Sequence, residues 1–252
     1  MTGTANNIAI QLENVTMAFG GLVAVNDVSI IVPRGMRGSI IGPNGAGKTT
    51  LFRIISGEIF PTTGRTIFFG KNITRWPAYR RAHFGLGRTY QVTNIFNELS
   101  VEQNVTLAAL GVSSTRYRAW LPLRMTGKLS QRVYKALHDV NIEGLRSHMA
   151  NDLSHGQQRQ LELAMAMVSN PQLLLLDEPS AGLTSGERNM IGELIMGLPN
   201  EMTILIIEHD LDLAFGLSER IICMNYGQII ADGTPEEIRS NASVQEVYMG
   251  TE

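Results

Sequence analysis

The chain has 252 residues, 44% hydrophobic and 17% charged, with a formal net charge of −2. This is the balance of an ordinary globular protein with ample material for a core, and it leaves no basic stripe of the kind that binds nucleic acid. Cys223 is the only cysteine, which excludes a disulfide framework, and no apolar run approaches the ~18 residues of a membrane span.

Met1 to Asn7 is small and polar, without the regions of a secretory signal, so a cytosolic setting is expected. Ile8, Ile10 and Leu12 then alternate with Ala9, Gln11 and Glu13, the period of a half-buried strand. Gly20-Gly21 interrupts it, Ala24 to Val32 resumes strand character, and Pro33-Arg34-Gly35 turns the chain into Ser39-Ile40-Ile41. Next comes Gly42-Pro43-Asn44-Gly45-Ala46-Gly47-Lys48-Thr49, with the G-x-x-x-x-G-K-[ST] spacing of a phosphate-binding loop. Glycines let successive backbone N–H groups converge on an anion, Lys48 supplies a compact positive charge, and Thr49 offers a hydroxyl to Mg²⁺. Thr50 to Ile55 continues with helical spacing, so bound phosphates would meet a helix N-terminus. Phe19, before the double glycine, is placed to stack on an adenine ring with Val25 beside it; core packing is the alternative for both.

Pro61 to Gly64 is a turn, Arg65 to Phe69 a strand, and Pro77 to Phe84 a short basic helix. This opening predicts a small antiparallel sheet beside a nucleotide core. From Val92 to Asp152 strand patterns vanish. Val101, Val105, Leu107 and Leu110, then Leu129, Val133, Ala136 and Leu137, recur at helical spacing on either side of a loop holding Trp120-Leu121-Pro122. Leu153-Ser154-His155-Gly156-Gln157-Gln158 leads into a helix from Arg159 to Val168. Gln172 to Leu176 carries four consecutive leucines, a strand covered on both faces, and ends in Asp177-Glu178, where an open α/β sheet places its chemistry. Thr203 to Ile207 is a second such strand, ending in Glu208-His209-Asp210. Strands Ile221 to Met224 and Gln228 to Ala231 flank the Tyr226-Gly227 turn, and two short helices near 235–240 and 243–248 finish the chain.

The phosphate loop, Gln91, the Leu153–Gln157 run, Leu176-Asp177-Glu178-Pro179 and His209, in that order, resemble the nucleotide-binding subunit of an ATP-binding cassette transporter. The resemblance implies an α/β fold: a P-loop NTPase core with a mainly parallel sheet, an N-terminal antiparallel β subdomain and an inserted α-helical subdomain at 92–157. Residues 1–252 would form one such domain, with a helical tail at 234–252. ATP and Mg²⁺ are the implied cofactors. ATP would contact Phe19, Val25, Gly42, Pro43, Asn44, Gly45, Ala46, Gly47, Lys48, Thr49 and Thr50, and the metal would contact Thr49, Gln91 and Asp177. Glu178 is the implied general base, helped by Gln91 and by His209 at the γ-phosphate. Ser154, Gly156 and Gln157 would complete the ATP site of a second copy. The chain departs from the commonest family pattern at His155, where glycine is usual, and at Thr184, where many members carry Asp.

Phe19-Gly20-Gly21-Leu22-Val23-Ala24-Val25, Arg88-Thr89-Tyr90-Gln91 and Asp232-Gly233-Thr234-Pro235-Glu236-Glu237-Ile238 resemble, more closely, the branched-chain amino acid uptake group. The implied partners are a second ATPase subunit, favouring a heterodimer, two membrane permease subunits and, indirectly, a periplasmic substrate-binding protein. The implied location is the cytoplasmic face of the inner membrane, and no nucleic acid is expected. Related transporters of urea, amides or aromatic acids, a lipid exporter, and a non-transport cassette of translation or DNA repair are the alternatives. The last usually has two cassettes, long coiled coils or zinc motifs, none of which this sequence carries.

Overall fold

The computed structural model describes residues 7–89, 94–112 and 127–249. Strands β1 (Ile8–Phe19) and β2 (Leu22–Pro33) form an antiparallel hairpin that closes with Phe19 opposite Leu22. Gly20, at φ 60°, takes the left-handed position that a two-residue turn demands. With β4 (Thr63–Phe68) and β5 (Lys71–Asn72) they make a four-stranded antiparallel sheet, ordered β2-β1-β4-β5.

The second sheet has six strands, ordered β10-β9-β3-β8-β7-β6. These are β3 (Arg37–Ile41), β6 (Leu86–Arg88), β7 (Leu173–Asp177), β8 (Thr203–Ile207), β9 (Arg220–Asn225) and β10 (Gln228–Gly233). All neighbours run parallel except β10 on β9. The mainly parallel sheet and the antiparallel subsheet are therefore both present.

The leucine run of β7 shows how the layers are built. With a side-chain period of two, Leu173 and Leu175 face a core made with the small sheet and helix α1 (Lys48–Ser56), among Val25, Leu51 and Phe52. Leu174 and Leu176 face the opposite layer, built on helices α3 (Val101–Gly111), α4 (Gly127–Asp139), α5 (His155–Met167) and α6 (Ser185–Met196). Burying each leucine contributes roughly 1.5–3 kcal/mol, so both layers are held to the strand that ends in the carboxylates. The same α3–α6 cluster reaches Ile204 and Ile206 of β8, and α5 runs unbroken through residue 157, the boundary expected for the helical segment.

Strands β5 and β6 and the two helices α6 and α7 were not expected. β6 is three residues long between glycine-rich neighbours and has no apolar run to announce it. Helices α6 and α7 (Leu211–Leu217) begin at caps, Thr184 and Asp210, whose side chains accept from Glu187 N and Leu213 N. Leu107 is exposed; α3 instead buries Val101, Asn104, Val105 and Ala109, with Asn104 bonded to the backbone of Phe96, Leu99 and Ser100. The loop with Trp120-Leu121-Pro122 lies outside the described residues. Helix α2 (Ala78–His83) carries Arg81, which is fully buried and donates to the carbonyls of Ile54, Ile55, Ile73, Thr74 and Trp76. It ties the end of α1 to the loops around it. The tail forms α8 (Pro235–Arg239) and α9 (Ala242–Met249), which pack with Ile41 and Cys223 through Ile238 and Val244.

Candidate functional site

The phosphate-loop segment leaves the C-terminal end of β3 and enters α1 at Lys48. Two of its glycines are imposed by neighbouring backbone. Gly42 has φ 146°, and a Cβ there would lie 2.1 Å from the Met224 carbonyl oxygen of β9. Gly47 has φ 99° and caps α1, and its Cβ would lie 2.3 Å from the Ala24 carbonyl oxygen of β2. The β9–β10 turn fastens the loop from outside: Gly227 N donates to Ala46 O at 3.0 Å, and Asn26 N to Gly227 O at 2.8 Å. Lys48 is buried with Nζ donating to Gly42 O at 2.7 Å and Pro43 O at 2.9 Å. Burial lowers its pKa, opposed chiefly by the negative charge of Glu178 and also by that of Asp177. An ammonium has three donors, two of which are used here.

Two strand ends bring acids toward this loop. Asp177, last in β7, is 1% exposed, and its Oδ2 accepts from Arg88 Nη2 at 2.9 Å. Its Oδ1 is buried with no hydrogen-bond partner among the described residues. Burial raises its pKa, and Arg88 works against that shift. Glu178 follows in the left-handed region, φ 50°, with its N–H on Ile207 O at 2.9 Å. For a residue with a Cβ that conformation is strained, and it turns the side chain off the strand. Glu178 Oε1 and His209 Nε2 are 2.9 Å apart, joining the ends of adjacent strands β7 and β8. Glu208 is buried and braces both ends, accepting from Ser180 N at 3.1 Å and His209 N at 3.0 Å.

A cavity of about 370 Å³ is lined by Phe19, Leu22, Ala24, Asn44 to Thr50, Glu178 and His209. Its lining combines an aromatic ring, the phosphate loop with its ammonium, and a carboxylate–imidazole pair. Chemically, such a pocket can grip a polyphosphate and take a proton from a water beside it. Val25 does not line it. That side chain is fully buried in the core, and Leu22 and Ala24 of the same strand line the cavity instead. Pro43, with Asn44, Gly45 and Ala46, lines a neighbouring cavity against Tyr226 and α9. Gln91 lies outside the described residues.

Ser154, Gly156 and Gln157 do not line the cavity either. Ser154 caps α5 in a reciprocal box with Gln157, and Gly156 N donates to Glu187 Oε1 at 3.0 Å. Thr184 fills the same capping role for α6, using Glu187, so one carboxylate serves the starts of two helices. Bonds from Thr184 and then Gly156 hold that carboxylate below its usual pKa. His155 is exposed. Glu187 was missed in the sequence although Thr184-x-x-Glu187 is a capping-box pattern. Arg88 and Thr89 were read as a group resemblance with no chemistry attached.

A family model described as "ABC transporter" matches residues 25–181, and one described as "Branched-chain amino acid ATP-binding cassette transporter" matches residues 228–252. Among similar proteins is the high-affinity branched-chain amino acid transport ATP-binding protein BraF of Pseudomonas aeruginosa. It is 39% identical over 248 residues, covering 96% of this chain and 97% of its own. Its counterpart LivG of Escherichia coli strain K12 is 37% identical with the same coverage. A crystal structure of a nucleotide-free ATP-binding cassette from an ABC transporter superposes with a TM-score of 0.86 at 33% identity, over 96% of this chain and 98% of that one. A dimeric post-hydrolysis cassette bound to ADP and Pi gives 0.76 at 26%, over 90% and 98%.

Proposed function

This chain belongs to the ABC transporter family of ATPases, and from that premise we propose that it binds and hydrolyses ATP to drive import of branched-chain amino acids through separate membrane permease subunits. The observation that carries the catalytic reading is the 2.9 Å pairing of Glu178 with His209 across the cavity from the Lys48 loop.

ATP enters with its adenine against Phe19 and its phosphates over the N–H groups of Gly45 to Thr50 at the start of α1. Lys48 turns its remaining donor toward the outer phosphates. Glu178 accepts the proton of the attacking water. His209, with Nε2 2.9 Å from that carboxylate, aims it, and would turn to the γ-phosphate once the carboxylate turns to the water. The donor set suits a hard cation: the Thr49 hydroxyl and the buried Oδ1 of Asp177, which has no partner among the described residues, are both oxygens. Thr49 and Asp177 would hold Mg²⁺, which would supply positive charge against the negative charge of the phosphates.

Among the described residues, the cavity draws its lining from β1, β2, the phosphate loop, α1 and the ends of β7 and β8. Ser154, Gly156 and Gln157 lie away from it, at the start of a helix whose dipole favours an anion. We assign them to the ATP of a second cassette, for which a heterodimer fits the Arg88-Thr89-Tyr90-Gln91 form of this chain. Nucleotide phosphates then draw the pair closed by binding the closed state better. No helix among the described residues is long and apolar enough to cross a membrane, and the reading places the chain on the cytoplasmic face, attached through its permeases.

Glu178→Gln tests the reading. ATP binding is retained and turnover falls by roughly 10²–10⁴; hydrolysis at the wild-type rate would sink the assignment. Copurification with the permease subunits and stimulation of ATPase by leucine, isoleucine or valine through a binding protein tests the cargo.

A further inference from the structure

Arg88 ends β6, the edge strand beside β7, and its side chain is only 6% exposed. Among the described residues the guanidinium reaches these groups from there. Nη2 donates to Asp177 Oδ2 at 2.9 Å, and Nη1 donates to Ser56 Oγ at 2.8 Å and Glu58 Oε1 at 2.6 Å. Ser56 is the last residue of α1, so one planar fork joins the far end of the phosphate-loop helix to the acidic end of β7. Thr89, next in the chain, acts on the same residue from the backbone side. Its hydroxyl accepts from Asp177 N at 3.3 Å, while its own N–H donates to Leu175 O at 2.9 Å. Asp177 is thus held by one carboxylate oxygen and by its amide. The oxygen left over, Oδ1, is buried and has no hydrogen-bond partner among the described residues.

Stability alone does not account for burying these charges. A buried ion pair is close to neutral against an apolar replacement, because desolvation offsets the Coulomb gain. What the fork supplies is direction: with Oδ2 engaged in a planar bond, the carboxylate cannot rotate and Oδ1 has one orientation. We propose that Arg88 and Thr89 are the positioning residues of the cation-binding carboxylate, and that they set how much a divalent cation tightens nucleotide binding. This rests on the reading of Asp177 as a ligand to Mg²⁺.

The test is calorimetric binding of ATP to the full chain, once with excess Mg²⁺ and once in EDTA, for wild type, Arg88→Gln, Arg88→Lys, Thr89→Val and Asp177→Asn. The quantity read is the ratio of the two affinities. Arg88→Gln is expected to cut that ratio roughly tenfold while leaving the EDTA affinity within about twofold of wild type. Arg88→Lys recovers part of the ratio, since a point charge restores the attraction without the fork. Thr89→Val, which keeps shape and loses only the hydroxyl, lowers it by roughly threefold and serves if Arg88→Gln does not fold. An unchanged ratio in Arg88→Gln or, failing that, in Thr89→Val overturns the proposal, as does an equal loss in Mg²⁺ and in EDTA. If Asp177→Asn keeps the full ratio, the metal reading itself falls and takes the proposal with it. If Asp177→Asn abolishes the ratio and Arg88→Gln does not change it, only the positioning role is lost.

Discussion

Replacing Arg81 with methionine removes the largest buried polar anchor behind the phosphate-loop helix. The side chain is fully buried and donates five hydrogen bonds, at 2.6 and 2.7 Å to Ile54 and Ile55, at 2.9 and 3.2 Å to Ile73 and Thr74, and at 2.9 Å to Trp76. Two of these acceptors keep a second donor: Ile54 O has Gly57 N, and Ile73 O has Trp76 N. The loss therefore falls on the carbonyls of Ile55, Thr74 and Trp76, each costing about 1–3 kcal/mol when left unsatisfied. Methionine returns apolar contacts, and the variant no longer buries a charge whose pKa is pushed down to about 10 by desolvation. The net is about 4 kcal/mol, within the range for breaking a buried charged network. For a chain of this size that corresponds to a fall in Tm of about 10 °C. Thermal unfolding followed by circular dichroism reads it directly, with Arg81→Lys intermediate because it keeps the charge without the fork. A methionine variant melting within about 1 °C of wild type would refute the reasoning.

Gly47→Ala forces a Cβ onto the Ala24 carbonyl at a φ of 99°, backbone against backbone. ATP affinity should drop by more than about tenfold, and equilibrium binding at wild-type strength would count against the imposed geometry. Asp210 caps α7 and bonds Arg188 at 2.7 Å, and its pKa is lowered chiefly by the Leu213 N–H. A depressed carboxylate stabilises the fold above its unfolded value of about 3.9 and loses that contribution as pH falls through the folded value. Asp210→Ala should cost about 1 kcal/mol at pH 7, a difference from wild type that shrinks in urea titrations toward pH 3; a constant difference would exclude the linkage. Cys223 is fully buried and its thiol is pushed up to about 11. Iodoacetamide at pH 8 should label the native chain slowly and the urea-unfolded chain to completion; rapid native labelling, read by mass spectrometry, would contradict this placement.

Contiguous signals were the legible ones. The loop from Gly42 to Thr49 announces itself because its chemistry needs neighbouring N–H groups, and β7 does so because a strand buried on both faces must be apolar throughout. The group that fixes Asp177 was hidden, since Arg88 stands 89 residues away in sequence and meets it only through the β6–β7 pairing. β6 itself has too few side chains to show a period. Val25 was misplaced for a related reason: periodicity says that Ala24 and Val25 face opposite ways, and only the packing of the small sheet against α1 says which side is the cavity. Leu107 fits a helical repeat, yet the inward face of α3 is completed by Asn104, a polar residue satisfied by the backbone around it.

The strand order has a consequence for synthesis. β1, β2, β4 and β5 are complete by Asn72, whereas β3, which carries the phosphate loop, has β8 and β9 as its two sheet neighbours. Neither exists until residue 203 and beyond has been made. At ~5–20 residues per second, a growing chain holds β3 without either partner for roughly ten to thirty seconds. Through that interval Ile40, fully buried in the finished fold, depends on α1 and the small sheet for cover, while Ile41 still lacks the α7, β9, α8 and α9 residues that bury it. The nucleotide loop leaves the ribosome well before the strands that flank it, and it is locked in place only when they have followed.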